Sequence, residues 1–185
     1  MRDDAAATGT PVLVLPGIGD SGPQHWQSLW EARHHAAFRR VIQRDWNRPV
    51  CAEWAITLEQ AVAESGADTV LVAHSLGSLL TAHWAAGTKR RIKAALLVAV
   101  PDPAGSVFPA EAEGFAVTRQ PLPFRSIVVA SRNDPYADIA WSRTCATAWG
   151  SELIDIGDAG HINAASGLGE WSQGLALLQR LIAAA

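Results

Sequence analysis

The stretch Thr69-Val-Leu-Val-Ala-His74-Ser75-Leu-Gly77-Ser-Leu-Leu80 constrains the fold more than any other part of the chain. Its uninterrupted apolar run fits a strand buried on both faces, the signature of a parallel sheet. The run leads directly into Ser75 and out into a segment that reads as a helix. A serine at such a junction reads as a nucleophile elbow, where strand and helix pass so closely that the residues two before and two after it must be small. Here they are Ala73 and Gly77. Ala in place of the first Gly of G-x-S-x-G adds one methyl and keeps the steric logic. The competing reading is a serine N-cap in an ordinary βα turn, where the hydroxyl satisfies orphan helix N–H groups.

Short apolar runs alternate with helix-period segments along the rest of the chain. Strands are expected at 12–15, 39–43, 69–73, 94–100, 126–130 and 152–156, and helices at 26–33, 54–64, 75–86, 136–149 and 168–183. Repeated βαβ units of this kind predict an α/β three-layer sandwich: a mostly parallel six-stranded sheet covered by helices on both faces. The length of 185 residues fits one domain, 1–185, with residues 1–9 expected to form a flexible N-terminal extension. The segment Pro101 to Phe124 breaks the rhythm, because five prolines, three Phe and two Gly leave it neither strand nor helix periodicity. It follows a strand carboxyl end, where open α/β sheets place ligands, so it reads equally as a substrate wall or partial lid and as a tether. The tail from Leu175 to Ala185 reads as a frayed helix end.

Composition removes several function classes. With 49% hydrophobic and 18% charged residues the chain is not of a disordered type. A net charge of −3, with Lys89-Arg90-Arg91 as the one short basic cluster, argues against nucleic acid as the main partner. Cys51 and Cys145 are too few for a disulfide framework and lack metal-site spacing, so they are expected to be packing residues. The N-terminus is polar and no apolar run is long enough for a bilayer, so the expectation is a cytoplasmic protein without membrane association. Eight Trp against one Tyr is skewed usage, and those indoles are expected in the core or in pocket walls.

A serine hydroxyl is a weak nucleophile at neutral pH, so Ser75 needs a general base and a carboxylate to orient that base. Elbow hydrolases supply these in the order Ser, Asp or Glu, His, on loops after later strands. After the strand ending at Ala130 comes Ser131-Arg-Asn-Asp134-Pro-Tyr136, and after the next comes Gly157-Asp-Ala-Gly160-His161-Ile-Asn163. Asp134 is the preferred acid, with an N-cap as its bland alternative and Asp138, Asp102 and Asp158 as rivals. His161 is the preferred base. His25 is its closest rival, since it follows the first strand and is placed to line the pocket, although it breaks the order. His74 is expected to point away from the site, His83 to pack on the serine helix, and His34 and His35 to be exposed.

Acyl transfer also requires hydrogen-bond donors where negative charge develops. The expected pair is the backbone N–H of Leu76 and, from the turn Leu15-Pro-Gly17-Ile18-Gly19-Asp20, that of Ile18 in preference to Gly17. Phosphate binding by this turn is a weaker reading, because it lacks the third Gly of G-x-G-x-x-G and any Walker lysine.

With these residues in place, the chain resembles a family of small α/β-hydrolase-fold serine hydrolases that includes relatives of retinoblastoma-binding protein. The matching motifs are Leu15-Pro-Gly-Ile-Gly19 with His25-Trp26, Asp45-Trp46-Asn-Arg-Pro49 with Trp54, Ala73-His-Ser-Leu-Gly77, Ser131-Arg-Asn-Asp134-Pro135, and Gly160-His-Ile-Asn163-Ala-Ala-Ser166-Gly-Leu-Gly-Glu-Trp171. The resemblance covers nearly the whole chain. It implies a triad of Ser75, Asp134 and His161, a minimal α/β-hydrolase fold without a cap domain, and hydrolysis of carboxylic esters or related small acyl compounds. The family's L-x-C-x-E partner motif corresponds here to Pro49-Val-Cys51-Ala-Glu53, with Pro where Leu is needed, so that partner role does not carry over. Trp26 is expected as a pocket wall and Asn163 as a group fixing the His161 loop, with Gly17 and His25 completing the pocket.

The resulting expectation is a serine hydrolase without cofactor or metal, acting on a small-molecule acyl substrate, as a monomer or small homo-oligomer. An amidase or peptidase of the same mechanism, or a non-catalytic binding protein on the same fold, are the alternatives.

Overall fold

A computed structural model describes residues 9–185, so the expected N-terminal extension lies, apart from Gly9, outside the described residues. The strands are β1 (Val12–Leu15), β2 (Phe38–Arg40), β3 (Val70–His74), β4 (Ala94–Val98), β5 (Arg125–Ala130) and β6 (Glu152–Asp155). The helices are α1 (Trp26–Arg33), α2 (Cys51–Ser65), α3 (Leu76–Gly87), α4 (Ile139–Trp149) and α5 (Ser172–Ala184). The strands form one sheet in the order β2-β1-β3-β4-β5-β6, and every pairing is parallel rather than mostly so.

Successive residues of a strand face opposite sides of a sheet, and this alternation divides the interior into two cores. Leu13, Leu15, Leu71, Ala73 and Leu97 face α2, α3 and α4, where Trp54, Leu58, Leu79 and Trp149 complete one core. Val12, Val14, Val70, Val72, Leu96 and Val98 face α1 and α5, where Trp26, Trp30, Trp171, Leu178 and Leu181 complete the other. Both faces of β3 and β4 are therefore dry, which is why these strands are apolar at every position but the last of β3, His74. The result is the expected three-layer sandwich.

Local capping explains where observed ends depart from expectation. Helix α4 starts at Ile139, not 136, because the Asp138 side chain accepts from the Trp141 N–H at 2.6 Å and caps it there. Helix α5 starts at Ser172, not 168, because Gly167, Gly169 and Trp171 all take positive φ. Strand β4 stops two residues early, where Ala99 turns to a φ of 52°. β2 covers 38–40 rather than 39–43, and α2 begins at Cys51, ahead of the expected 54. The tail is not frayed, since α5 runs to Ala184 and buries Leu178 and Leu181.

The segment 101–124 forms no helix or strand, but it divides its work. Phe115 is buried and meets Trp54 edge-on, and the Thr118 carbonyl accepts from Trp149 Nε1–H at 2.7 Å. Pro101 and Pro109 instead face the cavity beside Ser75. Among the described residues no helix is long and apolar enough to cross a membrane. Both cysteines are free and buried.

Candidate active site

Strand β3 ends at His74 and α3 begins at Leu76, so Ser75 alone makes the turn between them. Its φ of 55° and ψ of −123° lie outside the regions a residue with a Cβ adopts freely. The turn is held by the Ser75 N–H, which donates to the Val98 carbonyl at 2.9 Å, and by the Ser78 N–H, which donates to the Ser75 carbonyl at 2.9 Å. Backbones converge here. A Cβ on Gly77 would stand 2.3 Å from the Leu15 carbonyl oxygen, and one on Gly17 would stand 2.8 Å from the Ser75 Cβ. Ala73, by contrast, is fully buried with its methyl in the core beneath α3.

Loops at the carboxyl ends of β5 and β6 bring Asp134 and His161 to the serine. His161 Nε2 lies 2.9 Å from Ser75 Oγ, and His161 Nδ1 lies 2.9 and 3.0 Å from the two Asp134 oxygens. A carboxylate can only accept, so Nδ1 carries the proton and the Nε2 lone pair of the neutral ring faces the serine hydroxyl. The Asp134 side chain is only 3% exposed, which protects this contact from water. Its Oδ1 also accepts from the Tyr136 N–H at 2.9 Å, and the Tyr136 ring packs 4.5 Å from that of His161. The rival acids are elsewhere: Asp138 caps α4, Asp102 accepts from the Ala104 N–H, and Asp158 is exposed.

The turn carrying His161 is tightly built. Gly160 and Ile162 both have positive φ, 57° and 49°. The Gly160 N–H donates to Asn133 Oδ1 at 2.7 Å and the Ala159 N–H to Ser131 Oγ at 2.9 Å, which ties the His161 loop to the Asp134 loop. Asn163 caps the following 3-10 turn, accepting from the Ala165 N–H at 3.0 Å while Ser166 Oγ accepts from the Asn163 N–H. Two expectations are corrected here. Trp26 is not a pocket wall: it is 1% exposed, in the core with Trp30 and Trp171, and its Nε1–H donates to the Ile162 carbonyl at 2.8 Å. His74 does not point away, for its Nε2–H donates to the His161 carbonyl at 2.8 Å and its ring borders the cavity. The direction of a strand's last side chain depends on what crosses above it, which local spacing does not reveal.

A cavity of about 380 Å³ opens over Ser75, bordered by Gly17, Ile18, His25, Tyr136, Asn163 and Pro109 among others. Leu76 is the first residue of α3, so its N–H has no intrahelical acceptor, and it borders this cavity together with Ile18. The helix start also presents its positive end there. Asp20 lies at the same cavity with a φ of 65°, in an ion pair with Arg40 at 2.8 Å. Arg40 further donates to the Ser21 carbonyl at 2.9 Å and pairs with Glu31. Fully buried Gln27 donates to the carbonyls of Leu15 and Val72 at 3.2 and 3.1 Å, and accepts from Ser21 Oγ at 2.6 Å. Gln27 and Arg40 thus brace the loop bearing Ile18. Neither residue carries a sequence signal, because a lone Gln or Arg forms no motif.

Burial dominates the titration of the groups behind the site. The His25 pKa is lowered from 6.5 to about 4 by burial first, then by the charges of Arg40 and His161. His74 is lowered well below its ordinary value, mainly by burial and then by His161 and His25. Both rings are neutral at pH 7. Burial likewise pushes the thiols of Cys51 and Cys145 up to about 11 and 12, so neither is a nucleophile here. Among the described residues no group of three or more His, Cys, Asp or Glu side chains is arranged to hold a metal ion.

A parallel sheet with a serine on a strained turn after β3, and loops after later strands converging on it, defines an α/β hydrolase. Known proteins agree. A putative YdeN-like hydrolase from Pectobacterium atrosepticum is 32% identical over 93% of this chain and 90% of its own, with a TM-score of 0.83. The ydeN gene product of B. subtilis is 18% identical over 94% and 99%, with a TM-score of 0.81. Est816, described as an N-acyl homoserine lactone degrading enzyme, is 15% identical over 94% and 93%, with a TM-score of 0.74, a likeness of fold. No curated protein matches significantly. The family model described as serine hydrolase matches residues 12–180, and the chain belongs to that family.

Proposed function

We propose that this hydrolase cleaves carboxylic esters of small acyl groups through an acyl-enzyme on Ser75. The observation that carries the reading is the unbroken contact from Asp134 through His161 to Ser75, at 2.9 Å on each side of the imidazole. His161 Nε2 takes the hydroxyl proton as Ser75 Oγ attacks the ester carbonyl carbon. The carbonyl electron pair moves to oxygen, where the Ile18 and Leu76 N–H groups stabilise it. Collapse of this intermediate breaks the bond to the alkoxide, which takes the proton from His161 and departs as the alcohol. Water, deprotonated in turn by His161, then attacks the acyl-enzyme and releases the acid with Ser75 restored. Asp134 holds the ring in the required tautomer and stabilises the imidazolium that forms at each step.

The cavity, about 380 Å³, lies at the small end for ligand sites, which supports a short acyl group rather than a long chain. The proline-bordered part of the 101–124 segment, Pro101 and Pro109, forms one wall of this acyl site. The test is labelling with a fluorophosphonate probe, followed by intact mass and hydrolysis of short 4-nitrophenyl esters and the matching anilides. Expected are one adduct on the wild type, none on Ser75→Ala, and ester turnover well above anilide turnover. Ser75→Ala lowers kcat by on the order of 10³-fold or more while remaining folded. An unlabelled wild type refutes the acyl-enzyme, and anilides cleaved as fast as esters replace the esterase with an amidase.

A further inference from the structure

The imidazole of His161 must hold its distance from Ser75 Oγ to within a fraction of an ångström, yet it sits on a turn with two residues at positive φ. Two side chains grip successive carbonyls of that turn: Trp26 Nε1–H on Ile162 and His74 Nε2–H on His161 itself, each at 2.8 Å. They differ in where they come from. Trp26 belongs to α1, whereas His74 is the last residue of β3 and the immediate neighbour of Ser75. The backbone that places the serine therefore also places a donor on the main chain of its partner. This link does not pass through Asp134.

His74 has little freedom to move away from this task. It is 5% exposed, and its ring meets that of His25 edge-on at 4.7 Å and that of His161 at 4.9 Å. His25 is anchored in turn, since its Nδ1 accepts from the Gln27 N–H at 3.2 Å. The three imidazoles form a packed row along the cavity beside Ser75.

We propose that His74 is a positioning residue, whose Nε2–H donated to the His161 carbonyl sets the separation between the His161 ring and Ser75 Oγ. The inference rests on the hydrolytic reading given above. A carbonyl only accepts, so Nε2 carries the proton of the neutral ring. Burial keeps that ring from taking up a second proton, so no positive charge stands beside the imidazolium that His161 becomes. His74 thus orders the base without opposing its charge.

Glutamine can bring an amide N–H to the place of Nε2–H, whereas methionine has similar length and adaptability without a donor. The experiment compares wild type, His74→Gln and His74→Met in three readouts: kinetics on 4-nitrophenyl acetate, thermal unfolding, and the low-field proton resonance of His161 Nδ1–H. Expected for His74→Met is a fall in kcat of on the order of 10- to 100-fold with KM within about twofold, and a broadened or lost resonance. His74→Gln keeps kcat within about threefold of wild type and retains the resonance. Equal kcat in the two variants, a loss carried by KM alone, or an unchanged resonance in His74→Met overturns the proposal. If the Met variant does not fold, a loss above about threefold in a folded Gln variant overturns it, and a loss within that limit upholds it. The resonance reports the Asp134–His161 pair without turnover. A wild type that shows it but takes no fluorophosphonate adduct defeats the hydrolytic reading alone.

Discussion

Gly77→Ala is the sharpest single test of how the fold makes the site. The new Cβ would sit 2.3 Å from the Leu15 carbonyl oxygen and 3.0 Å from that of Pro16. Both obstacles are backbone, so no rotamer change relieves them. To reach even 3.0 Å, the shortest separation real Cβ atoms show, α3 and the end of β1 must part by about 0.7 Å. Leu15 is paired in register with Ala73 and its carbonyl is gripped by Gln27, so β1 is fixed and the helix must give. That displaces Ser75 and the Leu76 N–H from His161 and from Ile18. Overpacking of this kind costs about 1–3 kcal/mol of stability, and a misplacement near 1 Å costs about 100-fold in rate. The assay is kcat on 4-nitrophenyl acetate beside urea unfolding, with Gly87→Ala as the internal control. Gly87 ends the same helix and a Cβ there meets nothing within 4 Å, so the control is neutral or up to about 1 kcal/mol more stable. A Gly77→Ala protein with wild-type rate and stability refutes the argument that close backbone approach builds the elbow.

Stability also depends on pH through the buried imidazoles. The unfolded chain binds a proton at His25 near 6.5 and the native state refuses it until about 4, so stability is complete above 6.5 and is lost as pH falls toward 4. For His25 alone the loss is about 3 kcal/mol over that window, with His74 acting in the same direction. Urea midpoints measured from pH 7.5 to 4.5 should fall, and His25→Gln should flatten the slope; equal slopes in the two proteins would contradict this. Leu58→Ala, at a position with no exposed surface in the core under α2, should cost about 2–5 kcal/mol by urea unfolding while the folded protein keeps its kcat. A drop in kcat at full folding would show that this core transmits strain to the elbow.

Legibility in the sequence followed the range of the interactions concerned. The order of strands and helices was readable because burial on one or two faces writes a period into each element, as in the apolar run Val70 to Ala73 of β3. Ser75, Asp134 and His161 stood out as candidates because each lies just past a strand's carboxyl end, where a parallel sheet delivers its loops to one edge. Element ends were read less well, since they depend on caps such as Asp138 and on positive φ at Ala99 and Trp171. Trp26 and His74 were misplaced for a further reason. Each donates to the turn at 161–162, far away in sequence, and no local pattern encodes such a partner. Gln27 and Arg40 gave no signal at all, although between them they brace the Ile18 loop.

Hydrophobic periodicity and loop chemistry, both local, therefore determined from the sequence alone the sheet, its layers and the short list of candidate site residues. The tertiary structure alone decided which side chains touch. It set the 2.9 Å contacts through His161, drew His74 onto the His161 carbonyl and withdrew Trp26 into the core. Those choices are made where separate loops cross above the sheet, and only the packed chain brings these loops together.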